Sequence, residues 1–264
     1  MRSMLTAIWL YRHFILSSVR NDFRVRFARS HFGAIWMALQ PLAQVAIFTL
    51  VLSEVLATRL PGVQSKHGYA IYLMAGMLGW SLFSEIVSRS VTVFIDSASL
   101  LKKILFPRIC LPMIVGVSSL ANNLLLFLAM LLVFAIIGHG PTMALGWLVL
   151  LTALTLALAL GCGLVLGVLN VFVRDVGAAV GVMLQLLFWL TPIVYVPGVV
   201  PERFKQLLAL NPLYPLIKGY QDVILLGKAP DPAGMLSSAV VASLLLAASL
   251  VMFRRAAPDM VDEL

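Results

Sequence analysis

The side chains of this chain that could do chemistry are few, and their spacing assembles no reaction centre. His13, His31, His67 and His139 stand far apart, at the boundaries and turns of apolar runs. No two have the HExxH spacing that puts zinc ligands on one helix face. Gly227-Lys228 is followed by Ala229, and neither GxxxxGKS nor GxxxxGKT occurs, so the chain has no phosphate loop of its own. Cys110 and Cys162 are single thiols in apolar sequence, without CxxC spacing, and read as packed side chains. No catalytic, cofactor-binding or metal-binding residue is assigned. Glu85 and Arg89 stand four apart and can pair on one helix face.

The elements that carry these residues are apolar. From Ile109 to Val173 there is no Asp, Glu, Lys or Arg, and the run is broken only at the turn Gly138-His139-Gly140-Pro141-Thr142. Each half exceeds the roughly 20 residues that span a ~30 Å hydrocarbon core. The pair reads as a transmembrane helical hairpin. The whole chain is 61% hydrophobic and 11% charged, where soluble domains carry about 25% charged residues, so a polytopic membrane protein is expected.

Six spans are expected, at about residues 33–57, 69–95, 109–138, 143–173, 176–196 and 232–253, within one transmembrane domain of residues 33–254. A tail, 255–264, follows. Basic residues concentrate on the face that holds both termini: six arginines before span 1, Lys102, Lys103 and Arg108 after span 2, Arg174 after span 4, and Arg254 and Arg255. The opposite loops hold Arg59, Lys66, Arg203, Lys205, Lys218 and Lys228. The excess places both termini in the cytoplasm.

The first 32 residues form a separate element. Arg12 and His13 interrupt any signal-peptide core. Tyr11, Ile15, Val19, Phe23 and Phe27 recur every four residues, with most arginines off that stripe, which predicts a basic amphipathic helix in the cytoplasmic interface. Between spans 5 and 6, six prolines punctuate two short helical pieces, about 202–210 and 213–226, too short to cross. They read as a re-entrant or surface-lying pair on the outer face. Gly163-xxx-Gly167 and Gly177-xxx-Gly181 predict close helix approach, and Asn122 and Asn123 predict interhelical hydrogen bonds.

Ionisable groups near mid-bilayer, which ion-coupled transport usually needs, are missing. Uphill work by such a bundle must draw its energy from another subunit. Residues 97–106 can form a short helix with Leu101, Ile104 and Leu105 on one face, ended by Pro107. Held between two spans, it can pass a partner's motion into the bundle.

Several segments together resemble a known family. Asp22, Arg24, Arg26, Arg29, Gly33, Trp36 and Pro41 resemble the approach to span 1 of ABC-2 type permeases, in particular those exporting lipid-linked polysaccharides such as O antigen. Lys102-Lys103 through Phe106-Pro107-Arg108, then Leu111-Pro112, is similar to that family's coupling region. Phe172 to Val176 resembles its turn between spans 4 and 5, and Phe188-Trp189, Pro192 and Asn211-Pro212 resemble its outer gate. Phe27 and Phe32 depart from its more usual Tyr and Leu.

The resemblance covers nearly the whole chain. It implies an all-α permease that forms a homodimer and joins two copies of a separate P-loop ATPase, with ATP and Mg bound on that partner and no cofactor in this chain. It implies cargo on undecaprenyl diphosphate crossing a bacterial inner membrane. ATPase coupling then falls to Leu101, Lys102, Lys103, Ile104 and Arg108. The lipid-diphosphate entrance falls to Arg24, Arg26 and Arg29, whose guanidinium forks suit phosphate oxygens, although the same arginines also set topology. The outer gate falls to Asn211, Pro212 and Tyr214. Aromatic faces stack on the apolar C–H surfaces of pyranoses. Trp36, Tyr69, Tyr72, Trp80, Phe83, Trp189 and Tyr195 are the candidates for a sugar path, or else anchors at the bilayer interface. Capsular polysaccharide, teichoic acid, a lipid or a drug are alternative cargoes. An integral-membrane enzyme acting on lipid-linked sugars and a passive channel are the readings outside the class.

Overall fold

Two glycines one turn apart decide how the centre of this molecule packs. In the computed structural model, α2 (Gly68–Asp96) and α5 (Trp147–Phe172) cross where Gly163 and Gly167 face Ser90. A Cβ at Gly163 would lie 2.6 Å from that of Ser90, and one at Gly167 would overlap the Ser90 carbonyl oxygen. Only glycine lets the two backbones come this close, as the small-residue spacing predicts.

The structure describes residues 9–28, 67–103, 106–201, 203, 208 and 210–263, with isolated positions 39, 42, 43, 46 and 47. The expected first span, 33–57, and the 202–210 piece lie largely outside the described residues. Ahead of the bundle stands α1 (Arg12–Ala28). The short α3 (Ala98–Lys103) follows α2, and α4 (Cys110–Ile136) precedes α5. Next come α6 (Asp175–Leu190), α7 (Tyr214–Leu226), α8 (Pro232–Ala256) and α9 (Met260–Glu263). No strand occurs among the described residues.

Four stretches are long and apolar enough to cross a bilayer: α2, α4, α8, and α5 with the 3-10 turn Met143–Gly146 before it. This is a helical membrane protein. α2 is its central post, buried over most of its length, while α4 and α8 expose rows of leucine and valine such as Leu124, Leu132, Leu244 and Val251. In lipid those rows meet chains as apolar as themselves, so their exposure costs nothing.

The expected fifth span is shorter than its sequence suggests. α6 stops at Leu190 rather than continuing to residue 196, because Thr191 takes an extended conformation (φ −101°, ψ 129°) ahead of Pro192. A proline disfavours the helical region for the residue before it.

α7 is a 13-residue helix set into the bundle. Leu216, Ile217, Tyr220, Val223 and Ile224 are buried against α2, α5 and α8. Its Tyr220 ring lies on Gly79, where a Cβ would come within 2.7 Å of it. Gly227, in the left-handed conformation (φ 61°), ends α7, and the Lys228 amide donates to the Asp222 carbonyl at 3.1 Å. This is the glycine stop that satisfies orphan carbonyls. Asp231 then caps α8, accepting from the Gly234 amide at 2.9 Å, with Pro232 in the first turn.

Candidate functional site

The candidate residues lie at three levels of the bundle, one apolar and two polar, and each level joins elements far apart in sequence. At the end that carries α1, α3 and α9, the α1 stripe is the buried face. Ile15 and Val19 close over Cys110, with Tyr11, Phe14, Phe23, Met113 and Ile114 around them. The Phe14 and Phe106 rings lie 5.2 Å apart, so α1 also rests on the segment that leaves α3. The expected entrance helix and the expected coupling segment are therefore in direct contact. Lys102 and Arg24 are exposed and Arg108 is partly so. The side chains of Leu101, Lys103 and Arg26, and residues Arg29, Trp36 and Ile104, lie outside the described residues.

A charged network sits deeper, roughly 10–16 Å from the end of α2 at ~1.5 Å per residue. Arg89 donates to Asp22 of α1 at 2.6 Å and approaches Glu85 at 3.5 Å. Asn122 of α4 donates to Glu85 at 2.6 Å, and Ser119 stands 3.5 Å from Arg89. One turn further, Asn123 donates to the Leu78 carbonyl at 2.8 Å and reaches Ser81 at 3.3 Å. The expected Glu85–Arg89 pair is present, but its shortest contact goes to Asp22. Asn170 was not singled out from sequence. It donates to the Val91 carbonyl at 2.9 Å and accepts the Gly177 amide at 2.8 Å, pinning the start of α6 to α2 and α5. A lone amide beside the Arg174 turn, in an otherwise apolar helix, was the available signal.

At the opposite end, the non-helical segment 191–195 is held from three sides. Tyr69 donates to the Val194 carbonyl at 2.5 Å. Tyr72 donates to the carbonyls of Pro192 (3.1 Å) and Tyr195 (2.9 Å). Gln221 of α7 donates to the same Pro192 carbonyl at 3.0 Å. Asn211 donates to the Thr191 hydroxyl at 2.9 Å and accepts the Leu213 amide, while Ser238 of α8 donates to the Pro212 carbonyl at 2.8 Å. Asn211 and Pro212 thus fasten the approach to α7 onto α6 and α8. Tyr214 lines a cavity of about 290 Å³ with Lys218, Asp222, Asp231 and Ser237. Burial pushes the Asp222 carboxyl up, against the pull of Lys218 and Lys228.

The aromatic candidates divide by exposure. Tyr69, Tyr72, Trp80 and Phe83 are buried in the core, with Trp80 against Phe83 and edge-on to Phe188. Trp189 is 54% exposed. The partly exposed Tyr195 donates its hydroxyl to the Trp189 carbonyl at 2.9 Å, and burial beside Tyr214 pushes its phenol up. It stays a neutral donor at physiological pH.

Because Tyr72 and Gln221 share one acceptor, their removal is expected to be non-additive. Gln221→Leu alone should cost about 1 kcal/mol, since Tyr72 still serves Pro192, and Tyr72→Phe should cost more because it also removes the bond to the Tyr195 carbonyl. The double variant adds the desolvation cost of a deserted carbonyl, about 1–3 kcal/mol. Thermal melting of the four purified proteins measures the cycle.

The model of the family described as "ABC-2 type transporter" matches residues 14–225. The O-antigen export system permease protein RfbA of Myxococcus xanthus is 29% identical over 250 residues, 93% of each chain. A Klebsiella pneumoniae protein of the same name is 28% identical over 212 residues, 78% of each. The polysialic acid transport protein KpsM of Escherichia coli is 21% identical over 239 residues, 89% of this chain and 90% of that one. A helical membrane protein matched by the family model over residues 14–225, this chain belongs to the ABC-2 type transporter family.

Proposed function

We propose that this chain is the membrane permease of an ATP-driven exporter that moves undecaprenyl-diphosphate-linked polysaccharide, O antigen in the first place, across a bacterial inner membrane. The observation that carries this reading is the likeness to an O-antigen export permease over 93% of both chains. The permease acts as a homodimer with two copies of a separate P-loop ATPase that binds ATP and Mg. Both termini are cytoplasmic, and six spans are formed by residues 33–57 with α2, α4, α5, α6 and α8.

The residues fit this division of labour. α3 and its flanks (Leu101, Lys102, Lys103, Ile104, Arg108) receive the ATPase, and the Phe14–Phe106 contact carries its motion into α1. Arg24, Arg26 and Arg29 meet the lipid diphosphate. α6 presents Gly181, with open space where its Cβ would stand, and the exposed Val182, Leu186 and Leu190, a face suited to a second copy. Trp36, Trp189 and Tyr195 line the path beside it, and α7 with Asn211, Pro212 and Tyr214 closes its outer end. The KpsM likeness supports a capsular polymer as the second reading, at lower identity.

Deleting the gene in its own host should abolish the surface polysaccharide and leave lipid-linked polymer inside the cell, both read by immunoblot of fractionated membranes. The Leu101→Asp, Ile104→Asp double variant should reproduce the defect and lose the ATPase on purification. Unchanged surface polysaccharide in the deletion strain would refute the reading.

A further inference from the structure

The tail of the chain buries a side chain where a free end would bury none. α8 ends at Ala256, Pro258 follows its C-cap, and the turn at residues 257–259 leads into the four-residue α9. Pro258, Asp259 and Glu263 are exposed, whereas Met260 is fully buried. Fixing so rotamer-rich a side chain costs entropy that its packing must offset. Met260 joins one apolar cluster with Phe94 of α2, Ile109 at the entry to α4, Val168 and Val171 of α5, and Phe253 of α8. The Phe94 and Phe253 rings stack there at 5.7 Å.

Two members of that cluster bracket the expected coupling segment, Phe94 just before α3 and Ile109 just after it. α3 has six residues, and isolated helices below roughly 12–15 residues are marginal in water. It must borrow its order from neighbours. Among the described elements it packs chiefly against α2, from which it issues, and against α9. The contact with α2 comes with the connection between them, while the contact with α9 does not. α9 packs against α5 as well, so the tail joins α3 to a membrane-crossing helix. Phe106, which borders the same cluster, also meets Phe14 of α1.

We propose that Met260 is a positioning residue for energy coupling: through it the tail braces α3 against α5, so that a push received by α3 moves the spans instead of folding the segment aside. The inference rests on the permease reading given above. A short helix transmits a displacement only if its base does not yield, and Met260 gives α3 a footing independent of its covalent links to α2 and α4. An unbranched thioether side chain also stays packed through small shifts of its neighbours, which suits a contact kept while the helices around it move.

Amide hydrogen exchange of the purified full-length permease reads the brace directly. Met260→Ala should speed exchange of residues 98–103 about tenfold while residues 214–226 of α7 keep their protection. In the host, at matched membrane abundance and with the ATPase still co-purifying, the same variant should lower surface polysaccharide about fivefold. Met260→Leu keeps the bulk and should leave both readings near those of the unaltered protein. Unchanged exchange at 98–103, a rise spread evenly over the bundle, or normal export by Met260→Ala would overturn the brace. If Met260→Ala does not accumulate, removal of residues 259–264 repeats both measurements. In the unaltered protein, exchange of 98–103 as fast as in an unfolded peptide would overturn it as well. The exchange measurement needs no ATPase, so an unaltered permease that purifies without one would refute the permease reading and leave the brace separately decided.

Discussion

Gly167→Ala is expected to prevent stable assembly of the bundle, and Ser90→Gly is expected not to rescue it. The same Ser90→Gly change should rescue Gly163→Ala. The distinction follows from which atom each new methyl would meet. At Gly163 the obstacles are the Cβ and Oγ of Ser90, both removed by Ser90→Gly, whereas at Gly167 the obstacle is the Ser90 carbonyl oxygen, which every residue keeps. Overpacking a side-chain contact costs typically about 1–3 kcal/mol. A backbone clash can be relieved only by separating α2 from α5, so the Gly167 variant should exceed that range. Ser90→Gly itself removes a buried hydroxyl that makes no hydrogen bond within the described structure, which offsets part of the ~1 kcal/mol cost of glycine inside a helix. Membrane abundance and thermal melting of the three single and two double variants decide the matter. Rescue of both glycine variants would refute the packing argument.

The second large effect is expected at Arg89. Fully buried ion pairs cost about 3–5 kcal/mol when one partner is removed, and exposed pairs under ~1. The Arg89 and Asp22 side chains retain 23% and 27% of their exposure, so a coupling of about 1–3 kcal/mol is expected between them. A double-mutant cycle with Arg89→Met and Asp22→Asn, read by melting temperature, measures it. Because the pair bonds α1 to α2, Arg89→Met should also slow export more than its loss of abundance accounts for. A coupling near zero would refute a role for the pair in holding α1 to α2. Reversing the pair should not restore it, since an acidic residue at position 89 would face Glu85 one turn away.

The sequence was most legible where a single element carries the whole signal. An uncharged run broken once by Gly and Pro is a helical hairpin in any context, and α4 and α5 lie where it placed them. Residues at four-residue intervals gave the buried face of α1, and the spacing of Gly163 and Gly167 gave the closest helix crossing. Partners distant in sequence were not legible. Asp22 and Arg89 are 67 residues apart, and Tyr72 reaches carbonyls more than 100 residues away. Periodicity marks a residue's face but not its opposite number. Tyr69 and Tyr72 have the same residue type whether they stack on a ligand or tie down a loop, and only the position of segment 191–195 shows what their hydroxyls do. Gly177 and Gly181 carry the same motif as the α5 pair, yet Gly177 faces Asn170 and Gly181 faces open space.

The early stop of α6 bears on the bilayer itself. Sixteen residues rise about 24 Å at ~1.5 Å each, some 6 Å less than a typical ~30 Å hydrocarbon core. If α6 is one of the six proposed spans, the surrounding membrane must thin to meet it or its end must stop below the headgroups, at a cost of fractions of a kcal/mol per ångström of mismatch. Either response carries segment 191–195 below the level where water would solvate its backbone, a depth at which its carbonyls need the hydrogen bonds that three side chains, Tyr69, Tyr72 and Gln221, donate to them.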